Sequence, residues 1–451
     1  IVENFFATGF GMPGYTLLSN QLMAMSWIVL SPGALAHEFV HNWWGNSVFV
    51  DYEKGNWCEA LTVFSTNYYY HILTGNDEKA LNYRKSALLS LSDLPEEKNY
   101  PLIKFKYQEN SDDAVIGYEK GAMLFNEVYK LMGKDDFFKA LQLFNKNFSG
   151  KVALWEDIIA TFENYSKSKN LNFPVRKVFK QWLYETKLPT ISLDKAKIIV
   201  NEDQLIFTIV QDLEYYAQVP VQITTDKEAK IIPVIIDKKI TEATCEIDGK
   251  LISIELDPEY NVLRELNSFE KPYTFNKTLS DDIIVILPNK DDKKIAEEFV
   301  QMLEQSGYNV NSVSCDDLES IIWQISSLVV IGSIKSNSFI DKYLKSSYPE
   351  IIKSISADKL VLNREGNNEF SLENNLLMAN FSHAIEQYKS IALITYKELG
   401  NVKQLRRLFH YMGNSLLLLK QSKMGRPLLN LEVFPAEPKD NPLKYENTLS
   451  K

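Results

Sequence analysis

His37 and His41 stand four residues apart in His37-Glu38-Phe39-Val40-His41. On a helix that spacing stacks two imidazoles on one face, so that both can reach a single ion. Glu38 sits beside the first, placed to take a proton from a water polarised by that ion. Zinc suits such a pair, and a catalytic zinc site takes three protein ligands and leaves a fourth position for water. The third ligand must come from elsewhere. Glu59, in the first turn of the next expected helix, is the natural candidate, although Asn56-x-x-Glu59 also fits a capping box, in which the glutamate only satisfies a helix-start amide. With five histidines in 451 residues, a chance His-Glu-x-x-His match is on the order of a few in a thousand. The expectation is one Zn²⁺ per chain on His37, His41 and Glu59, with Glu38 as the base.

These residues need rigid elements to hold them. Ser31 suits an N-cap and Pro32 a first helical position, so a helix should open there and run through Trp44. A second should carry Trp57 to about Leu73. Further helical patterns span 119–132, 135–148, 155–167 and 174–184, so residues 1–190 read as one mostly helical domain. From 191 to 270 the chain changes to β-branched runs of strand length (197–200, 205–210, 217–225, 231–236 and 251–256), which suggest a small antiparallel sandwich. Residues 271–440 alternate strand (283–287), helix (293–305), strand (328–331), helix (376–387) and strand (391–395), the pattern of an α/β domain. The tail 441–451 reads as irregular. The fold class is therefore multidomain α+β.

Lys plus Arg number 49 against 59 Asp plus Glu, a formal charge of −10, which lacks the field that draws a protein to phosphate backbones, so no nucleic-acid partner is expected. The apolar run from Leu22 breaks at Pro32-Gly33, short of a membrane span, and no transmembrane segment is expected. Cys58, Cys245 and Cys315 are too few and too far apart for a disulfide framework, which favours a reducing, cytoplasmic compartment. The start at Ile1, without a basic leader, suggests a processed or partial chain and keeps an exported or periplasmic location open. Beside Glu59, Cys58 reads as a small packing residue, and His71, His383 and His410 lack metal partners at useful spacing.

The run from His37 through His41-Asn42-Trp43-Trp44-Gly45-Asn46, followed by Trp57-Cys58-Glu59-Ala60-Leu61, resembles the aminopeptidase N family of zinc metallopeptidases, the gluzincins, as does Gly117-Tyr118-Glu119-Lys120-Gly121-Ala122. Residues 179–184, Leu188-Pro189 and Asp257-Pro258-Glu259-Tyr260 extend the likeness to residue 266. The resemblance implies a thermolysin-like catalytic domain acting on peptide substrates, with Tyr118 donating to the oxyanion. It also implies that Gly9, Phe10, Gly11 and Met12 occupy the substrate-binding strand. Two departures stand out. Seventeen residues (42–58) separate His41 from Glu59, one fewer than the family spacing. Gly11 stands where the family's Gly-x-Met-Glu-Asn motif has the glutamate that binds a substrate's free amino terminus, while Glu3, in Val2-Glu3-Asn4, reads as a strand residue some ten positions upstream. Altered amino-terminal anchoring is thus expected, with a zinc endopeptidase or a non-catalytic scaffold that keeps the fold as the alternatives.

Overall fold

A computed structural model describes residues 1–6, 8–25, 29–171, 173–289, 292–317, 321–383, 385–386, 389–421 and 427–447; expectations that touch Ala7, Gln387 or 448–451 lie outside them. The chain divides into two compact units, 1–266 with 439–451, and 267–438.

The first unit opens with a three-stranded sheet, β1 (Val2–Asn4), β2 (Gly9–Met12) and β3 (Tyr15–Ser19), in the order β1-β3-β2. A π-helical turn, Pro32–Ala36, with Pro32 at its start, runs into α1 (His37–Val40). After α2 (Cys58–Val63) the helical backbone continues through π-helical Phe64–Tyr69 to Leu73. Then come α3 (Asp77–Ser92), α4 (Gly121–Met132), α5 (Lys134–Phe148), α6 (Trp155–Ser168) and α7 (Val175–Tyr184). α3 falls outside the expected helices because small Ala80 and Ala87 fill part of its buried stripe, which weakens the periodic signal. One core joins these helices, and Trp57, Trp155 and Trp182 are its largest buried side chains. Trp57 donates its indole N–H to the Ala153 carbonyl at 2.8 Å. Its truncation to Ala would cost about 3–5 kcal/mol and loosen the start of α2, where Glu59 lies.

The same unit carries a β-sandwich built from β4 (Ile191–Leu193), β5 (Ile199–Asn201), β6 (Gln204–Gln211), β7 (Ala217–Thr225), β8 (Ala229–Ile236), β9 (Ile240–Glu246) and β10 (Leu251–Leu256). All of its pairings are antiparallel. Along β7 burial alternates strictly, as a half-buried strand requires.

The second unit holds β11 (Ile283–Leu287), α8 (Lys293–Gln305), β12 (Val310–Ser314) and β13 (Ser327–Ile331), a small antiparallel sheet of β14 (Ile352–Ile355), β15 (Lys359–Leu362) and β16 (Glu369–Ser371), and then β17 (Asn375–Ser382), β18 (Ser390–Tyr396), β19 (Leu416–Lys420) and β20 (Leu429–Leu431). Its main sheet runs β12-β11-β13-β18-β17-β19-β20, parallel as far as β18 and antiparallel beyond. Ile283 and Val285 join α8 in one core, whereas Ile284 and Ile286 face the other with Phe339 and Leu344.

Two expectations are corrected. The helix expected from Leu376 is strand β17, flanked by β18 and β19 and buried on both faces. A strand covered on both sides shows an unbroken apolar run, which periodicity cannot tell from a buried helix. The tail is not wholly irregular, because β21 (Lys444–Glu446) pairs antiparallel with β10 and so completes a sandwich sheet, β8-β7-β10-β21. Three residues are too short to show alternation, and backbone pairing at a sheet edge defines them. No helix among the described residues is long and apolar enough to cross a membrane.

Candidate active site

α1 and α2 bring three side chains to one point. His37 Nε2 lies 3.1 Å from Glu59 Oε2 and 3.1 Å from His41 Nε2, and His41 Nε2 lies 3.5 Å from the same carboxylate oxygen. Among the described residues these three form the group able to hold a metal ion, their donor atoms all lying within 4.8 Å of one another. His41 turns its other nitrogen, Nδ1, to the Trp44 carbonyl at 3.0 Å, which leaves Nε2 directed at the cluster. Asn56 takes the capping role at this helix start. Its side-chain oxygen accepts the amides of Cys58 (3.0 Å) and Glu59 (3.4 Å), so Asn56 caps the helix start while the Glu59 carboxylate faces the imidazoles.

Electrostatics pairs opposite charges at that point. Burial raises the Glu59 carboxyl, but hydrogen bonds to His37 and His41 outweigh it and hold the group at about 2. Burial lowers His41, but its bonds to Cys58 and Glu59 carry it up to about 11. Cys58 is no fourth member: its Sγ lies 3.6 Å from Nδ1, the ring nitrogen that faces Trp44, and burial pushes the thiol up to about 11. Sequence reasoning gave no role to Thr62, whose hydroxyl also lies near Nδ1, at 3.5 Å. Its position four residues after Cys58 was the available signal.

Glu38 stays out of the trio and hangs over β2. Burial lifts its carboxyl above the ordinary value, against the pull of His37 and His41 and a backbone hydrogen bond from Gly11. A Cβ at Gly11 would stand 2.5 Å from the Glu38 carbonyl oxygen and 2.7 Å from His41 Cβ, and one at Gly9 would stand 2.8 Å from Glu38 Oε1. The space that these glycines leave is therefore filled by α1 itself, where the sequence suggested room for a peptide backbone. Phe10 and Met12 alternate to the opposite face of β2. Asn46, to which the sequence pattern assigns no role, donates to the Gly11 carbonyl at 2.9 Å and ties β2 to the turn after α1. Glu3 is an exposed residue of β1, in register with Leu18 of β3, which separates it from β2.

Tyr118 arrives from the π-helical turn Val115–Lys120, ahead of α4. A Cβ at Gly117 would stand 2.3 Å from the Phe105 ring, and one at Gly121 would stand 2.3 Å from Ala60 Cβ. The missing side chains let this segment press against Phe105 and α2, which sets Tyr118 beside His37, their ring centroids 6.2 Å apart. Burial raises the Tyr118 phenol well above its ordinary value, with Glu59 adding to the effect, so the hydroxyl remains a neutral donor.

Residues 14–182 match the Peptidase family M1 domain, a span that contains His37, Glu38, His41, Glu59 and Tyr118. The chain is 27% identical to aminopeptidase N of Haemophilus influenzae over 165 residues, 36% of this chain and 18% of that protein. It is 25% identical to aminopeptidase N of Escherichia coli over 180 residues, 39% of this chain and 20% of that one. Each match spans about a fifth of the relative's length. Among solved structures, the crystal structure of Legionella pneumophila aminopeptidase A in complex with aspartic acid aligns with a TM-score of 0.42 and 18% identity, covering 58% of this chain and 31% of that one. Over part of its length the chain thus resembles aminopeptidase N-type peptidases.

Proposed function

We propose that this chain is a zinc-dependent peptidase, aminopeptidase-like with altered anchoring of the substrate's amino terminus. The convergence of His37 Nε2, His41 Nε2 and Glu59 Oε2 within 4.8 Å carries the reading. Two imidazoles and one carboxylate are the donor set of an open catalytic zinc site, and the bond from His41 to the Trp44 carbonyl supplies the orienting contact such ligands need. One Zn²⁺ held there would lower the pKa of water and polarise the scissile carbonyl. Glu38, which is not a ligand and whose carboxyl is raised by burial, takes the proton of the attacking water and returns it to the leaving amine. Tyr118 donates its hydroxyl to the oxyanion as charge develops there.

The anchoring part rests on Gly11. A free α-amino group is cationic near neutral pH, and in a dry site it needs a carboxylate to offset its desolvation. Position 11 has no side chain and no space for one beside α1, and Glu3 lies beyond β3. The same observation favours a zinc endopeptidase as the second reading.

The test is turnover of a dipeptide amide and its N-acetyl form, before and after chelation and zinc readdition. Hydrolysis that chelation abolishes and zinc restores supports the peptidase, and hydrolysis indifferent to chelation overturns it. The kcat/KM ratio of free to blocked substrate should stay within about tenfold; a preference above about a hundredfold would overturn the altered anchoring alone.

A further inference from the structure

The second unit holds a crevice lined by the segments that follow three of its parallel strands, together with Ala357 from the turn between β14 and β15. From β11 the chain crosses to β12 on one side, and from β13 it crosses to β18 on the other. α8 packs into one core and Phe339, Ile340 and Leu344 into the other, so the loops leaving β11 and β13 diverge to opposite faces of the sheet. Such a switch point opens a cleft at the carboxyl ends of the strands. Asn337, fully buried, spans the divergence by donating to the Ile286 and Ile331 carbonyls at 3.1 and 2.8 Å. Above it lies a cavity of about 500 Å³.

Its polar floor is Asp292, 8% exposed. Although Asp292 occupies the N-cap position of α8, its side chain does not cap that helix. Its Oδ2 instead accepts the Ser333 amide at 2.8 Å and the Ser336 hydroxyl, to which the Ser333 hydroxyl donates at 3.0 Å. Tyr396, 1% exposed, directs its phenol toward Asp292, whose charge and hydrogen bonding add to burial in raising that phenol. Ile295 and Leu399 supply an apolar wall. Two lysines line the cavity. Lys397 is committed to Glu373 (2.6 Å) and Asp358 (3.2 Å), whereas exposed Lys335 makes no ion pair among the described residues.

A buried carboxylate on the floor and an unpaired ammonium at the rim match the two ends of a zwitterion, and the apolar wall suits an aliphatic side chain between them. A phosphate fits poorly. It would face Asp292, and the Ser333 amide, the first after Gly332, is already given to that carboxylate, so the turn offers no ring of free N–H groups. We propose that this crevice binds a free aliphatic α-amino acid, its ammonium toward Asp292 and its carboxylate toward Lys335. The inference stands on residues of the second unit and does not require hydrolysis by the first.

Calorimetric titration of the intact chain with L-leucine, N-acetyl-L-leucine, L-leucinamide, inorganic phosphate and magnesium chloride tests it. Leucine should bind, and each blocked form should bind at least about tenfold more weakly. Lys335→Ala, which breaks no side-chain hydrogen bond or ion pair among the described residues, should weaken leucine by about tenfold and leave leucinamide unchanged, because the amide has no carboxylate to lose. Binding should persist after zinc chelation, which separates it from product held at the candidate active site. Absence of leucine binding up to about 10 mM, equal binding of the blocked forms, indifference to Lys335→Ala, loss on chelation, or preference for phosphate or magnesium would each overturn the proposal.

Discussion

Tyr118 lies nearly parallel to His37, the two ring planes inclined by 17° with their centroids 6.2 Å apart. The stacking holds the phenol alongside the imidazole without making it a member of the donor trio, and the proposed mechanism has its hydroxyl meet a charge that exists only during reaction. Tyr118→Phe should therefore lower kcat about 10²–10³-fold, with little change in KM or metal content. Steady-state kinetics and metal analysis on one preparation decide it, and equal effects on kcat and KM would place Tyr118 in ground-state binding instead.

The proposed mechanism puts metal binding and proton transfer on different residues, so they should separate by mutation. His37→Ala/His41→Ala should abolish bound zinc, and Glu59→Ala should weaken it. Glu38→Gln should keep zinc and lose about 10²–10⁴-fold in hydrolysis, since the ligands remain and the proton carrier does not. Elemental analysis beside turnover is the measurement, and full zinc content in the double variant would refute the assignment.

Gly11 is fixed by the approach of α1 to β2, and the conflict there is with the Glu38 carbonyl, which cannot rotate aside. Gly11→Ala should cost about 1–3 kcal/mol by thermal unfolding and displace Glu38 enough to reduce turnover. Gly11→Glu, which introduces the carboxylate that the resembling family has at this place, should destabilise further without creating a preference for free amino termini. A stable Gly11→Glu enzyme with that preference would show that β2 can move off α1.

Glu127 gives a pH dependence far from the trio. Its buried carboxyl group accepts from the Trp182 indole at 2.5 Å and the Leu263 amide at 3.1 Å, and burial outweighs both bonds to push it up to about 8. A carboxyl raised in the folded state binds its proton more tightly there than in the unfolded chain. Its contribution is thus full below the unfolded value, near 4.5, and is lost as pH rises toward about 8. Melting temperature should fall across that window, and Glu127→Gln, although less stable at pH 5, should flatten the slope. Parallel slopes in the two proteins would remove Glu127 as the cause.

Much of the candidate site could be read from spacing because its pattern is local. Residues four apart share a helix face whatever surrounds the helix, so His37 and His41 declared themselves, and Glu38 followed by adjacency. The β-branched runs of β7 and β10 and the helix at 293–305 were equally legible, since alternation or a 3.6-residue period is written into each segment. What tertiary structure alone decided is everything that depends on a partner distant in sequence. Asn56 takes the helix-start amides and leaves the Glu59 carboxylate to the imidazoles, a choice that a capping-box pattern leaves open. Gly9 and Gly11 look like room for a substrate until α1 is seen to fill that room. The run from Leu376 is a strand because β18 and β19 pair on either side of it, and Lys444–Glu446 is a strand because β10 presents a free edge. Pairing across a sheet and packing between helices are set by which surfaces meet, and a sequence records the surfaces without recording the meeting.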